Sequence, residues 1–156
     1  MISPGTAAPL NVGDPAPRIS ATTDKGTTLN LGDVYAKTRY ALVYFYPRAD
    51  TPGCTAQGCS LRDAYAELTE KGVVVIGVSN DNIEAQKAFR EKYHLPFTLL
   101  ADTDFAVIRA FGQQGIKAAK RQAYLVRDGK IVYADHTGST SKQAADILAF
   151  IATDKT

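Results

Sequence analysis

Seven consecutive residues from Tyr40 to Tyr46 carry no alternation of apolar and polar positions, and Val73 to Val78 repeats that pattern. Unbroken apolar runs of this length mark strands covered on both faces rather than half-exposed ones, so the first is expected to be central in a sheet. Between them lies an irregular stretch from Pro47 to Thr51. It is followed by a helix to about Lys71, with Leu61, Ala64, Tyr65 and Leu68 at helical spacing and Gly72 as its stop. A second helix is predicted from about Asn82 to Tyr93, with Ala85, Ala88 and Phe89 on one side and Pro96 barring its continuation. Phe97 to Leu100 reads as a short strand, and Asp104 to Phe111 as a short helix with Phe105, Ile108 and Phe111 inward. Two hairpins frame this centre: Arg18 to Thr22 with Thr27 to Leu31 around Asp24-Lys25-Gly26, and Gln122 to Val126 with Lys130 to Ala134 around Asp128-Gly129. A last helix from about Ser141 to Ala152 directs Ala144, Leu148 and Ile151 at the sheet.

That order describes an α/β fold, a mixed central sheet flanked by helices on both faces. It resembles the thioredoxin-like plan with an N-terminal β-hairpin extension. No repeat, low-complexity tract or linker divides the 156 residues, so a single domain over 1–156 is expected. At 45% hydrophobic and 22% charged residues the composition is that of an ordinary globular chain. A net charge of +2, from 18 basic and 16 acidic side chains with Lys and Arg clustered only at Lys117 to Arg121, argues against nucleic acid and anionic membranes as partners. With two cysteines, and with His94 and His136 far apart, neither a disulfide scaffold nor a four-ligand zinc site is expected, and no metal or cofactor is implied. The first fifteen residues lack the basic and apolar regions of a signal peptide, and no apolar run approaches the ~20 residues that span a bilayer. A cytoplasmic chain is expected.

Both cysteines fall in the stretch YFYPRADTPGCTAQGCSLRD, Tyr44 to Asp63. Thr51 suits an N-cap and Pro52 the first helical position, which puts Cys54 in the first turn among unpaired backbone N–H groups and at the positive end of the helix dipole. Thiols in such surroundings ionise more readily. Cys59 lies deeper in the same predicted helix, close enough in sequence to condense with an oxidised Cys54 but wrongly spaced for a Cys-x-x-Cys pair. Five residues of α-helix separate two Cα atoms by ~8.7 Å, whereas bridged Cα atoms lie within about 6.8 Å. A Cys54–Cys59 disulfide therefore requires the first turns to unwind.

A thiolate at a helix start can attack an electrophilic oxygen, leaving a sulfenic acid that a second thiol converts to a disulfide and water. Peroxide reduction by this route also needs donors for the departing oxygen. The Thr51 hydroxyl, the N–H groups of Gly53 and Cys54, and a guanidinium would supply them. Arg121, entering a strand expected beside the central one, is the candidate guanidinium, a choice that rests partly on the resemblance to a known family, under which Lys120 is the weaker competitor. The tyrosines at 40, 44 and 46 read as core and pocket wall, and the two histidines as surface or loop residues.

Pro47, Thr51 and Cys54 in Pro47-Arg48-Ala49-Asp50-Thr51-Pro52-Gly53-Cys54 match the Pro-x-x-x-Thr-x-x-Cys signature of peroxiredoxins. The fuller run TPGCTAQGCSLRD resembles the Q-type, or bacterioferritin comigratory protein, subfamily, as do the Asn11 to Pro17 opening, GVSND at Gly77 to Asp81 and LPFTLLAD at Leu95 to Asp102. The resemblance implies that Cys54 is the peroxidatic cysteine and Cys59 the resolving one. It further implies that Thr51 and Arg121 bind and polarise the peroxide and that Pro47 shields the thiolate from water. The implied substrates are hydrogen peroxide and organic hydroperoxides, the implied reductant is thioredoxin or a similar dithiol, and the implied state is a monomer. Here the chain departs from relatives in a shorter loop between Phe111-Gly112 and Arg121 and in a basic residue, Arg127, where many end the strand with an acid. Gln57 stands where related proteins have Glu or Gln.

Two other classes of function use the same residues. A general disulfide oxidoreductase would share the fold but is disfavoured by the spacing of the thiols, and a redox-sensing or holdase-like protein would use the helix-to-loop change as its signal. Under each redox reading the segment has two states. Reduced and oxidised proteins should give distinct amide spectra from Thr51 to Ser60; superimposable spectra would exclude the transition.

Overall fold

In the computed structural model, which describes residues 9–114 and 116–154, the central run becomes β3 (Tyr40–Phe45) of a five-stranded sheet. A hairpin of β1 (Ser20–Thr22) and β2 (Thr28–Asn30) precedes it. Next come β4 (Val73–Ser79), β5 (Thr98–Ala101), β6 (Gln122–Arg127) and β7 (Lys130–Asp135). The sheet order is β5-β4-β3-β6-β7, with β3, β4 and β5 parallel and β6 and β7 antiparallel to their neighbours. All six residues of β3 are buried because both faces are covered. Tyr40, Leu42, Tyr44 and Tyr46 face one apolar cluster and Ala41, Val43 and Phe45 the other.

The first cluster is closed by α2 (Pro52–Asp63), α3 (Tyr65–Glu70), α4 (Ile83–Tyr93) and α6 (Gln143–Thr153), through Leu61, Leu68, Phe89, Ile147 and Ile151. The second is closed by α1 (Leu31–Lys37) and α5 (Ala106–Ala110), through Leu31, Tyr35, Val107 and Ile108. The N-terminal segment protects both sheet edges, where unpaired strands invite association. Pro15 bridges Lys130 of β7, and Thr23 bridges Leu100 of β5.

The expected mixed α/β sheet with helices on both faces and an N-terminal hairpin is present, and several local details differ from the sequence reading. The run expected to stay helical to Lys71 breaks at Ala64, whose φ of −98° and ψ of 9° end α2 and start α3. The stretch read as strand to Leu31 instead starts α1 there, with the Asn30 side chain accepting from the Asp33 N–H. Seven residues containing a glycine gave that helix no visible period. In α4 the buried residues are Gln86 and Phe89, while Ala88 is exposed, because the Gln86 amide answers buried groups: Tyr46 Oη at 2.5 Å, Ser79 Oγ at 2.9 Å and the Leu100 carbonyl at 2.8 Å. Phe105 precedes α5 at φ 62° rather than lying within it. On α6 Ile147 is more deeply buried than Leu148. The Asp128-Gly129 turn has positive φ at both residues, 52° and 74°, as a type I′ hairpin requires. Part of the N-terminal reading, residues 1–8, lies outside the described residues.

The β1–β2 turn is tied to the body by Asp24. Its buried carboxylate takes both hydrogen bonds from Arg90 Nη1 at 3.1 Å and a third from the Leu99 N–H at 3.2 Å. Asp24→Ala strips a half-buried cation and a strand N–H of their acceptor. It should destabilise the fold by about 2 kcal/mol, less than a wholly buried pair because Arg90 keeps 22% of its side-chain surface. Urea denaturation of the variant would check this.

Candidate active site

Strands β3 and β4 are parallel and both end at the loop from Tyr46 to Thr51. Crevices outside the carboxyl ends of such strands are where α/β sheets place their sites. The loop is held by three side chains outside it. The Ala49 N–H donates to Asp81 Oδ2 at 2.7 Å, and Asp50, at φ 60°, takes hydrogen bonds from Lys92 Nζ at 2.9 Å and Tyr93 Oη at 2.7 Å. Those two donors lower the pKa of the exposed Asp50 carboxyl. Thr51 Oγ1 donates to the Arg48 carbonyl at 2.8 Å. Thr51 thus stands at the N-cap position of α2, but its hydroxyl turns back to the loop and makes no capping bond. Pro47 is half-buried at the head of the loop.

Cys54 is the third residue of α2 and only 1% exposed. Above it lies Arg121. Antiparallel pairing sets Gln122 of β6 against Phe45, the last residue of β3, so the residue before Gln122 emerges where the loop to α2 begins. The guanidinium uses both ends: Nη2 lies 3.4 Å from Cys54 Sγ, and Nη1 donates to Gln57 Oε1 at 2.9 Å. Gln57 Nε2 in turn donates to Gln143 Oε1 of α6 at 2.9 Å, so a buried chain runs from the C-terminal helix to the sulfur. Two glycines make room. A Cβ on Gly53 would stand 2.8 Å from Arg121 Nη2, and one on Gly138, at φ 65°, would stand 2.4 Å from Arg121 Cγ. Asp135 shapes the loop carrying Gly138 by accepting from the N–H groups of Thr137 and Gly138, at 3.2 and 2.9 Å.

Cys59 lies in α2 with Cys54, half-buried, and both thiols are free. Unbroken helix joins them, so the ~8.7 Å Cα separation of ideal geometry applies. Beneath this turn the Tyr44 hydroxyl is fully buried. Burial raises its pKa far above the ordinary phenol value, Cys54 and Cys59 push it the same way, and Arg121 opposes them. It stays a neutral hydroxyl.

The structure brings Cys54, Thr51, Pro47 and Arg121 to one end of the sheet and leaves Cys59 a turn along α2. Lys120, the competing cation, is exposed, and Gln113 holds its backbone through Oε1 and Nε2. Gln57, which the sequence left without a role, proves to be the second partner of Arg121. Gln143 and Gly138 carried no local signal, since each acts through a contact made across the fold. Among the described residues no group of three or more His, Cys, Asp or Glu side chains could hold a metal ion.

Fold and site together define a thioredoxin-fold protein with a cysteine at a helix start beneath a guanidinium, a layout suited to thiol redox chemistry. Comparisons with known proteins agree. The AhpC/TSA family pattern matches residues 12–134. Peroxiredoxin Bcp of Escherichia coli K12 is 40% identical over 152 aligned residues, covering 92% of this chain and 96% of the relative. Crystallised peroxidoxin BcpB of Mycobacterium tuberculosis superposes with a TM-score of 0.86 at 26% identity, covering 93% of this chain and 98% of that one. The bacterioferritin comigratory protein of Xanthomonas campestris, studied for alkyl peroxide reduction, superposes with a TM-score of 0.81 at 25% identity, covering 91% and 98%. The chain belongs to the AhpC/TSA family as a peroxiredoxin of the Bcp type, and it is a thiol peroxidase.

Because the Gly138 Cβ site overlaps Arg121, Gly138→Ala should swing the guanidinium away from Cys54. A crystal structure of the variant should show the 3.4 Å contact lengthened beyond hydrogen-bonding range and the Arg121 main chain displaced at the entry to β6, because its carbonyl carbon and oxygen both lie 2.8 Å from the same Cβ site.

Proposed function

We propose that this peroxidase reduces hydrogen peroxide and organic hydroperoxides through Cys54, with Cys59 as its resolving partner and a thioredoxin-like dithiol as electron donor. The contact between Arg121 Nη2 and Cys54 Sγ at 3.4 Å carries the reading. A cation held there by Gln57 can steady the attacking sulfur and the oxygen that gathers charge as the O–O bond breaks. The Cys54 thiolate attacks the terminal peroxide oxygen; an S–O bond forms, the O–O bond breaks, and the leaving oxygen takes a proton to depart as water or alcohol. Thr51 Oγ1 and the N–H groups at the start of α2 supply the remaining hydrogen bonds to the peroxide. Pro47 screens the sulfur from solvent.

The Cys59 thiol then displaces hydroxide from the Cys54 sulfenic acid, giving a disulfide and one water. Since α2 holds the thiols too far apart for a bond, this step follows unwinding of residues 51–60. A donor dithiol restores both thiols and is itself oxidised to a disulfide. Residues 1–156 act as one domain, and the protein works as a cytoplasmic monomer. Consistent with that location, no helix among the described residues is long and apolar enough to cross a membrane. The alkyl peroxide activity named for the Xanthomonas relative supports including organic hydroperoxides among the substrates.

Stopped-flow oxidation of the reduced protein by hydrogen peroxide and by a bulky hydroperoxide tests the assignment. Cys54→Ser should abolish peroxide consumption, and Cys59→Ser should consume one equivalent and stall without a disulfide. Arg121→Ala should slow the first step about 100-fold, the cost of removing one donor from a developing oxyanion. Undiminished turnover in Cys54→Ser would reject the mechanism.

A further inference from the structure

Among the described residues, two buried side-chain polar atoms have no hydrogen-bond partner: the Tyr44 hydroxyl and Gln143 Nε2. Both rest against the same turn of α2. A Cβ on Gly58 would stand 3.6 Å from Tyr44 Oη, and Gln143 meets the helix at Gln57, 2.9 Å away. Residues 57 and 58 lie between the two cysteines, inside the segment that must uncoil for the sulfurs to meet. Buried polar groups are paired in the great majority of folded proteins, so two orphans under one turn call for a physical account.

While α2 is intact its carbonyls accept from N–H groups four residues on, and none stands within hydrogen-bonding distance of the Tyr44 hydroxyl. The ring is held by Tyr46, with centroids 5.5 Å apart, and by Phe97, edge-on at 5.9 Å, so it cannot swing to another partner. Uncoiling of residues 54–59 would release those carbonyls next to the hydroxyl, which lies 3.6 Å from the Gly58 Cβ site. We propose that Tyr44 is a positioning residue for resolution: its hydroxyl, unpaired beneath the helix, donates to a backbone carbonyl released on unwinding and so favours the conformation in which Cys59 reaches the Cys54 sulfenic acid. Gly58, a poor helix former in mid-helix, lowers the barrier at the same point. This inference rests on the assignment of Cys54 and Cys59 as the reacting pair. Resolution itself is unchanged in chemistry: an S–S bond forms, the S–O bond breaks, and hydroxide leaves as water with the Cys59 proton.

The hydroxyl makes no bond in the helical state, so Tyr44→Phe removes nothing from that state and withdraws a partner from the uncoiled one. Rapid-quench mass spectrometry of wild type and Tyr44→Phe, started with hydrogen peroxide and stopped with a sulfenic acid trap or a thiol alkylator, separates the steps. Sulfenic acid should form at the same rate in both, while the Cys54–Cys59 disulfide forms about tenfold more slowly in the variant. Excess peroxide should then leave more sulfinic acid at Cys54. In the reduced proteins, amide hydrogen exchange at residues 54–59 should be slower in the variant, with thermal stability unchanged or raised. Equal rates of disulfide formation would overturn the inference, as would a slower first step, faster exchange or a lowered melting temperature, which mark a peroxide contact or a packing role. Absence of the disulfide from wild type would instead reject the pairing of the cysteines, and this inference with it.

Discussion

Everything at the candidate site depends on one register: β6 runs antiparallel to β3 and starts level with its end, Gln122 opposite Phe45. Shift that pairing by one residue and alternate side chains would exchange faces, carrying Arg121 away from Cys54 and the apolar side of β6 out of its core. The register is secured by Ala123, Tyr124, Leu125 and Val126, all buried, and by the type I′ turn at Asp128-Gly129 that holds β7 alongside. Core packing thus sets the position of the guanidinium beside Cys54.

The second determinant is α2, which serves two demands that oppose each other. As a helix it seats Cys54 at its start, under Arg121, with Gln57 one turn on to orient the guanidinium. As a helix it also keeps Cys59 beyond disulfide reach. Under the proposed pairing of Cys54 with Cys59, peroxide attack uses the wound form and resolution the unwound one, which calls for modest stability. Gly58 in mid-helix, the early break at Ala64 and the unpaired Tyr44 hydroxyl all point that way. The Gln57–Gln143 bond and the Ala144 N–H to Ser60 Oγ bond, at 3.1 Å, join α2 to α6. Unwinding therefore has to loosen the start of the C-terminal helix as well.

The chain itself determined the strands β3, β4, β6 and β7, the I′ turn, and the placement of Cys54 in the first turn of a helix. Each of those follows from local chemistry: unbroken apolar runs, glycine at positive φ, proline at the first helical position. The N-terminal hairpin, β5, α4 and α6 were also legible to within a few residues, and tertiary structure decided several further features. α1 was illegible because seven residues do not display a period, and the single long helix expected to Lys71 is interrupted by the non-helical backbone at Ala64. Gln86 did not figure on the face read from Ala85, Ala88 and Phe89, because its buried partners, Tyr46, Ser79 and Leu100, come from three separate strands or strand ends. The roles of Gln57, Gln143 and Gly138 depend on side chains meeting across 64, 86 and 17 positions of sequence. No local pattern records such distances; only folding the sheet brings these groups within a hydrogen bond of one another.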